Sequence, residues 1–218
     1  MNKKERAKLI QEIFDDVYSD AKCSLDYETE HQLLVAVQLS AQCTDARVNI
    51  VTKELFKRYK SVSDFAEADL AELEGYIKPC GFYRNKAKNI IESSKQIISL
   101  HNGRIPSTME ELTNLSGVGR KTANLILGDV FNLPSSIVVD THCIRLTNRF
   151  GLVKDKEPVK IEKELRKILD PLSSSRFCHQ LVYHGRAVCT ARSPKCTDCP
   201  IKHLCKSAPK TQNGVQDE

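Results

Sequence analysis

Four cysteines near the C-terminal end of the chain have the spacing of a ligand set. Cys189, Cys196, Cys199 and Cys205 follow the pattern C-x6-C-x2-C-x5-C. Four thiolates in one short loop can hold a tetrahedral zinc ion or an iron–sulfur cluster. The residues alone favour zinc, because four-cysteine zinc sites are common. The loop is also rich in basic side chains, including Lys195, so a centre here would present cations to a phosphate backbone.

The other five cysteines are scattered and do not form a second ligand pattern. An odd total of nine cysteines, with no secretory signal at the N-terminus, argues against a disulfide framework. We therefore predict small, mostly buried apolar residues at Cys23, Cys43, Cys80, Cys143 and Cys178.

A second candidate site is the glycine-containing turn in Leu115–Thr122, which reads LSGVGRKT. Gly117 and Gly119 permit a tight turn, and Val118 between them can pack inward. The backbone N–H groups of such a turn, with those of the next helix, can bind a phosphate without reading base sequence. The alternative is a helix–helix corner where glycine only permits the bend. Three further polar residues complete the candidate phosphate site: Arg120, Lys121 and Thr122.

Two residues in this part of the chain could take part in covalent chemistry. Lys121 could be an amine nucleophile, although taken alone it is better interpreted as a phosphate-binding lysine. Asp140 could stabilise positive charge on a substrate, although taken alone it is better interpreted as the N-cap of the following helix. His142 is equally compatible with a site residue and with a hydrogen-bonded structural histidine.

Composition limits the class of protein. The chain has 218 residues, 40% of them hydrophobic, and a mean hydropathy of −0.38. These values allow a packed core and do not suggest a membrane protein, and the charged N-terminus predicts a cytosolic location. The formal net charge of +5 fits a polyanionic partner without requiring one.

The spacing of apolar residues is helical along nearly the whole chain, so we predict an all-α fold. The only strand-like run, Ile137–Val139, is too short to build a sheet. Ser107 and Glu110 predict a capping box at the start of one helix. Residues 208–218 are polar and predict a disordered tail. The predicted helices span residues 5–18, 30–41, 45–59, 70–77, 86–100, 121–131, 140–150, 158–169 and 176–189.

Together and in this order, the motifs resemble the endonuclease III family of helix-hairpin-helix DNA glycosylases. The resemblance covers nearly the whole chain. Leu39–Asp45 (LSAQCTD) is similar to an early family signature, Gly117–Asn124 (GVGRKTAN) to its hairpin, and Val139–His142 (VDTH), followed by Arg145, to its catalytic-aspartate segment. The cysteine spacing is the one that the family uses for a [4Fe–4S] cluster, so the resemblance reverses the preference for zinc.

The resemblance implies a bifunctional DNA glycosylase and AP lyase of base excision repair. It implies removal of oxidised pyrimidines from duplex DNA and cleavage 3′ to the abasic site by β-elimination. Lys121 would form the Schiff base and Asp140 would assist. The implied partner is double-stranded DNA with damaged bases or abasic sites, bound by a monomer in the nucleoid-associated cytoplasm of a prokaryote.

The resemblance also implies DNA contacts outside the hairpin. Gln42 is similar to the family residue that fills the gap left by a flipped nucleotide, and its alternative is a plain helix-end glutamine. Phe82 lies in a loop similar to the one that wedges into DNA, and its alternative is a core aromatic residue. The full set of predicted DNA-contacting residues is Gln42, Phe82, Gly117, Val118, Gly119, Arg120, Thr122, His142 and Lys195.

The implied architecture is two helical domains with a DNA-binding cleft between them. A six-helix domain containing the hairpin would span residues 22–133, and an iron–sulfur domain would combine residues 1–21 with 134–207. Two positions depart from the family pattern. Ser116 replaces a common proline, which predicts a slightly looser hairpin, and Phe82 replaces a common leucine.

Two other functions compete with this interpretation. The adenine glycosylase branch of the superfamily typically lacks the hairpin lysine and has an extra C-terminal domain, so Lys121 and the short chain after Cys205 disfavour it. A non-catalytic DNA-binding module, with the cluster as a staple or redox sensor, predicts DNA binding without strand cleavage.

Overall fold

A computed structural model describes residues 1–209 of the chain, and these residues are helical with no β-strand. The prediction of an all-α fold is therefore confirmed. Residues 210–218, which make up most of the predicted disordered tail, lie outside the described residues. The α-helices are α1 Lys3–Val17, α2 Glu30–Ser40, α3 Asp45–Arg58, α4 Val62–Ala66, α5 Leu70–Ile77, α6 Tyr83–His101, α7 Met109–Asn114, α8 Arg120–Asp129, α9 Thr141–Phe150, α10 Pro158–Ile168 and α11 Ser174–Ala187.

Side-chain caps define where many of these helices begin. The residue before the helix accepts a hydrogen bond from a backbone N–H of the first turn, which would otherwise have no partner in the helix. In α1, Asn2 and Glu5 cap each other reciprocally. Five other helices have only the side-chain half of this arrangement, and their capping residues are Thr29, Thr44, Asp69, Thr108 and Asp140. None of the helices within residues 1–209 is long and apolar enough to cross a membrane.

The structure corrects one predicted cap and adds one helix. The cap of α7 is Thr108, whose Oγ accepts from the Glu111 N–H at 3.2 Å, one residue later than the predicted Ser107–Glu110 box. The five-residue helix α4 was not predicted, although Ser61 and Asp64 form a reciprocal capping box at its start.

The described chain divides into two compact units. One unit is Cys23–Ser136, and the other combines Met1–Lys22 with the chain from Ile137 onward. The first unit contains α2 to α8. Its core is formed by apolar side chains of these helices, and the largest fully buried members are Leu33, Leu34, Leu39, Leu55, Tyr59, Phe65, Leu73 and Ile77.

The second unit has an aromatic core centred on Phe14 of α1. The ring of Phe14 is stacked on Phe177 at 6.0 Å between centroids and meets Phe150 edge-on at 6.1 Å. The ring of His184 lies 4.9 Å from Phe14. These rings come from α1, α9 and α11, so the N-terminal helix packs with helices more than a hundred residues later in the chain.

Candidate functional site

The glycine turn joins α7 to α8 as a tight hairpin. Gly117 has a φ of +72°, which a side chain would disfavour, and Gly119 is the N-cap of α8 with no side-chain cap. Val118 is buried and its N–H donates to the Leu115 carbonyl at 3.1 Å. The apolar residues of the turn therefore face the core while Gly117 and Gly119 are exposed.

Neighbouring helices hold this hairpin at the serine that precedes it. The Ser116 N–H donates to Gln96 Oε1 at 2.8 Å, and its hydroxyl donates to Asn89 Oδ1 at 3.0 Å. Gln38 of α2 donates to the Ser116 carbonyl at 2.9 Å. A proline could supply neither the N–H nor the hydroxyl. Ser116 thus contributes contacts that offset the looser turn expected from the loss of proline.

The side chains that follow the turn are solvent-accessible. Arg120 and Lys121 are exposed in the first turn of α8, and Thr122 is half-buried. The exposed N-terminus of α8, the two glycines and two cationic side chains therefore lie on one short segment. Such a segment can bind a phosphate through backbone N–H groups and place an amine beside it.

Gln42 and Phe82 are exposed residues in loops at the ends of α2 and α6. Both adopt left-handed backbone conformations, with φ of 55° for Gln42 and 48° for Phe82. Phe82 is 65% exposed, which is unusual for a phenylalanine and excludes the core aromatic alternative. Non-glycine residues held in this region are strained, and such strain is concentrated at functional sites.

One buried lysine connects the two loops. Lys86 Nζ donates to the Leu39 carbonyl and to the Cys80 carbonyl, both at 2.9 Å. Leu39 precedes Gln42 by three residues and Cys80 precedes Phe82 by two. Burial lowers the pKa of Lys86. The chain just before Gln42 and the chain just before Phe82 are therefore hydrogen-bonded to the same ammonium group, all within residues 23–136.

Asp140 is the N-cap of α9, as the alternative interpretation of its sequence predicted. Its Oδ1 accepts from the Cys143 N–H at 2.7 Å, and its Oδ2 lies 3.2 Å from His142 Nδ1. The carboxylate is about one-fifth exposed. Both of its oxygens are thus oriented by neighbours while the group retains access to solvent.

Helix α9 also contacts the first cysteine of the C-terminal loop. Arg145 donates to the carbonyls of Gly185 and Cys189, each at 3.2 Å through Nη2. Arg149 Nη1 lies 3.2 Å from the Cys189 sulfur and donates to the Thr190 carbonyl at 2.7 Å. A Cβ on Gly185 would lie 2.6 Å from His142 Cδ2 and 2.8 Å from Arg145 Nη2, so a larger residue would displace these two side chains.

The four cysteines of the loop surround one cavity. The cavity has a volume of about 100 Å³, and Arg149 and Lys202 line it together with Cys189, Cys196, Cys199 and Cys205. Burial, with a smaller contribution from the neighbouring thiols, raises the pKa of Cys199 and of Cys205. These thiols would lose their protons as a metal centre binds. Lys195 lies exposed on the same loop.

The donor set of this cavity fits an iron–sulfur cluster. A zinc ion needs all four sulfurs about 2.3 Å from one point. Within residues 1–209, no group of three or more histidine, cysteine or acidic side chains is placed to hold one metal ion. An iron–sulfur cluster has several iron atoms, each with its own thiolate, so a cavity of about 100 Å³ lined by four cysteines offers the ligands that it needs.

A histidine from α11 reaches the same set of thiols. His184 Nε2 lies 3.6 Å from Cys199 Sγ, and His184 Nδ1 lies 2.8 Å from the Tyr18 hydroxyl. Burial lowers the pKa of His184 to about 4 and raises the pKa of Tyr18 to about 12.

The predicted site residues are distributed over the two units. Gln42, Phe82 and the hairpin with Lys121 belong to Cys23–Ser136, whereas Asp140, His142, Lys195 and the four cysteines belong to the other unit. Sequence spacing did not identify five residues that support these sites, because their partners are distant in the chain. They are Tyr18, Lys86, Asn89, Arg149 and His184.

Two family models match the chain. Residues 35–171 match the HhH-GPD superfamily of base excision DNA repair proteins. Residues 189–205, which begin and end with a cysteine of the loop, match the iron–sulfur binding domain of endonuclease III. Together these matches include the hairpin, Asp140 and the cysteine loop.

The chain is also similar over nearly its full length to bacterial proteins of known class. Endonuclease III of a Synechocystis species is 48% identical over 207 residues, which cover 95% of this chain and 94% of the relative. Endonuclease III of Bacillus subtilis is 44% identical over 196 residues, with 89% of each chain covered.

Solved structures with the same fold include endonuclease III on DNA. A trapped covalent intermediate of endonuclease III with DNA matches with a TM-score of 0.89 at 41% identity, covering 95% of this chain and 98% of that one. A non-covalent endonuclease III–DNA complex gives the same TM-score and identity. A thermostable thymine-DNA glycosylase, at 19% identity and a TM-score of 0.83, shares the fold.

Proposed function

Because the chain belongs to the endonuclease III family of base excision DNA repair proteins, it is a DNA glycosylase and AP lyase with a [4Fe–4S] cluster, and we propose that Lys121 and Asp140 perform its chemistry. The zinc ion that we predicted from the cysteines alone is therefore wrong, because residues 189–205 match an iron–sulfur binding domain. The observation that carries the proposal is the exposed Lys121 amine beside the uncapped start of α8.

The hairpin supplies the grip on the DNA backbone. A phosphate near Gly117–Gly119 would accept hydrogen bonds from backbone N–H groups and favour the N-terminus of α8. Val118, buried beneath, keeps the turn rigid, and Arg120 and Thr122 add polar contacts from the exposed side. None of these contacts reads a base, which suits an enzyme that must act on damage in any sequence.

The reaction on the damaged DNA strand begins at the amine of Lys121. Its neutral form attacks C1′ of the damaged nucleotide, the base leaves with the bonding electron pair, and the sugar ring opens to form a Schiff base. The iminium acidifies the C2′ proton. Removal of that proton expels the 3′ phosphate by β-elimination, and water then releases Lys121 from the product.

Asp140 assists this sequence as a carboxylate. Positive charge develops on the sugar as the base departs, and a fixed negative group stabilises it. The Cys143 N–H and His142 hold the two carboxylate oxygens in place, so the group needs little reorganisation during the reaction. Asp140 therefore has two roles in this proposal, as helix N-cap and as charge-stabilising residue.

Gln42 and Phe82 act on the DNA at the point where the damaged nucleotide is extruded from the double helix. Base chemistry requires the target nucleotide to be extruded from the stack, which costs unstacking energy. An exposed aromatic ring can wedge between bases, and an amide can replace the lost pairing to the orphan base. The left-handed conformations of both residues, fixed near Lys86, support this role. His142 and Lys195 complete the proposed DNA contacts.

The cluster has a structural and electrostatic role in this scheme. Cys189, Cys196, Cys199 and Cys205 would hold it, and when bound it fixes the loop that presents Lys195. We assign residues 22–133 to the hairpin domain and residues 1–21 with 134–207 to the iron–sulfur domain, and the division of the chain into two compact units supports this assignment.

Membership of the family supports a proposal for the substrate and the cellular setting. We propose that the protein acts as a monomer in the nucleoid-associated cytoplasm of a prokaryote, on oxidised pyrimidines and abasic sites in duplex DNA. Thymine glycol is a suitable test lesion, because it is an oxidised pyrimidine that still occupies a duplex.

Borohydride trapping tests the proposed nucleophile. Duplex DNA with one thymine glycol is incubated with wild type, Lys121→Gln and the exposed-lysine control Lys95→Gln. Borohydride reduces the Schiff base, so wild type and Lys95→Gln should give a covalent adduct and Lys121→Gln should give none. DNA binding by Lys121→Gln should persist.

Three results would contradict the proposal. An adduct with Lys121→Gln would assign the nucleophile to another amine. Base release without any adduct in wild type would indicate a monofunctional glycosylase, and binding without base release would indicate a DNA-binding module.

A further inference from the structure

Three residues from different parts of the chain form a line of hydrogen bonds in the second unit. The Tyr18 hydroxyl, just after α1, lies 2.8 Å from His184 Nδ1 on α11. His184 Nε2 lies 3.6 Å from Cys199 Sγ in the cysteine loop. His184 is fully buried, so water cannot replace either contact.

The chemistry of the sulfur sets the direction of these hydrogen bonds. A cluster-bound cysteine is a thiolate without a proton, so Cys199 can only accept. The proton must therefore be on Nε2 of His184. A neutral imidazole has only one N–H, so Nδ1 must accept, and the Tyr18 hydroxyl is its donor. Tyr18 thus selects the tautomer that donates to the sulfur.

Aromatic packing fixes the ring in this orientation. The ring centroid of His184 lies 4.9 Å from Phe14, 5.8 Å from Tyr18 and 6.0 Å from Phe150. A ring so enclosed cannot turn away from Cys199 without displacing the core. The hydrogen bond to the Cys199 sulfur should therefore persist as long as α1 and α11 stay packed against each other.

We propose that Tyr18 and His184 are positioning residues for the iron–sulfur cluster, donating an N–H···S hydrogen bond to the Cys199 thiolate that strengthens cluster retention and raises the reduction potential. The proposal rests on Cys199 being a cluster ligand, as assigned above. Reduction adds negative charge to the cluster and its thiolates. A donor aimed at one of these sulfurs stabilises the reduced form more than the oxidised form.

The contact of His184 with the Cys199 sulfur differs from the contact that an arginine makes with another ligand sulfur. Arg149 also approaches a ligand sulfur, that of Cys189, but it donates to three loop carbonyls as well. His184 makes its contact from within the aromatic core and depends on one hydroxyl for its tautomer. Tyr18→Phe removes one oxygen atom. It should therefore change the reduction potential and the retention of the cluster without altering the cluster's ligands.

The test compares Tyr18→Phe with Tyr183→Phe in the cluster-loaded protein. Both substitutions delete only a phenolic oxygen, and the two tyrosine rings are neighbours, with centroids 6.5 Å apart. The reduction potential is measured by protein-film voltammetry, and cluster retention by the rate of iron release to a chelator. We expect Tyr18→Phe to lower the potential and to speed iron release about tenfold, while Tyr183→Phe matches wild type.

A second pair of variants keeps the test decisive if the tyrosine change disturbs packing. His184→Gln retains an amide N–H donor, whereas His184→Leu has none. We expect the glutamine variant to keep more of the wild-type potential than the leucine variant. Equal potentials in this pair, or a Tyr18→Phe potential and release rate equal to wild type, would overturn the proposal.

Failure of the proposal is distinguishable from failure of the enzymatic assignment. The readouts above need no DNA, so they are independent of borohydride trapping at Lys121. A Cys199→Ser variant with the wild-type visible absorbance and iron content would show that Cys199 is not a ligand, and that result would overturn the proposal through its premise.

Discussion

Replacing Gly117 by alanine tests whether the hairpin depends on its close approach to α6. An added Cβ would lie 2.8 Å from Asn89 Cβ and 2.9 Å from Asn89 Nδ2. Asn89 Cβ is fixed by the helix backbone, so a rotamer change cannot remove that contact. The φ of +72° adds a second cost, because alanine disfavours the left-handed region.

The two costs can be estimated separately. A left-handed alanine costs about 1–2 kcal/mol. Overpacking against a well-packed neighbour costs about 1–3 kcal/mol. We therefore expect Gly117→Ala to lower the free energy of unfolding by about 3 kcal/mol.

Gly119→Ala is the matched control two residues away. Gly119 has φ of −93° and ψ of 173°, and no heavy atom beyond its chain neighbours lies within 4 Å of an added Cβ. We expect a change below about 1 kcal/mol in the free energy of unfolding. Its methyl group would however stand on the exposed face of the turn, so duplex DNA should bind more weakly.

Urea unfolding measures the difference between the two variants. The chain has no tryptophan, so helix loss is followed by circular dichroism. Gly117→Ala should unfold at clearly lower urea than Gly119→Ala. Equal midpoints would refute the close-approach argument, and unchanged DNA affinity of Gly119→Ala would refute the proposed phosphate contact.

Three further predictions concern buried or strained groups. Burial lowers the pKa of His31 from 6.5 to about 4, so the unfolded chain binds a proton first, and this residue alone should lower the free energy of unfolding by up to about 3 kcal/mol as pH drops from 6.5 to 4. In urea titrations His31→Gln should make the pH dependence of stability shallower by that amount and leave the similar contribution of His184. Lys86→Met should lower the free energy of unfolding by about 2–3 kcal/mol and speed hydrogen exchange of the backbone amides near Leu39 and Cys80. The exposed control Lys88→Met should change neither quantity. Phe82→Gly should leave stability within about 1 kcal/mol of wild type, since it removes left-handed strain, and should abolish base extrusion measured with a fluorescent base analogue.

Helices were predictable where both a periodic apolar face and end signals were present. Leu70–Ile77 has the predicted bounds, with Asp69 as cap and a proline-containing turn after it. The helix predicted from residue 86 instead begins at Tyr83, because its first turn follows a left-handed Phe82 that has no side-chain cap and gives no sequence signal. End signals also misled at Ser107, where Thr108 and Glu111 offer an equivalent box one residue later.

The resemblance located the proposed chemical residues, but it did not identify what orients them. Lys121 and the four cysteines were recognisable because their motifs are local in the chain. Lys86, by contrast, contacts a carbonyl 47 residues away, and Tyr18 contacts a histidine 166 residues away. Such pairs depend on how helices pack, and one sequence carries no record of that packing.

The left-handed conformations of Gln42 and Phe82 show why this support matters. Neither residue type favours such a backbone, and each costs about 1 kcal/mol or more to hold there. A free chain would relax into an ordinary turn and let the side chain fold back on the surface. The ammonium of Lys86, anchored to carbonyls of Leu39 and Cys80, opposes that relaxation on both loops. The hydrogen bonds of Lys86 thus hold the chain just before each strained residue, beside a Phe82 ring that is 65% exposed.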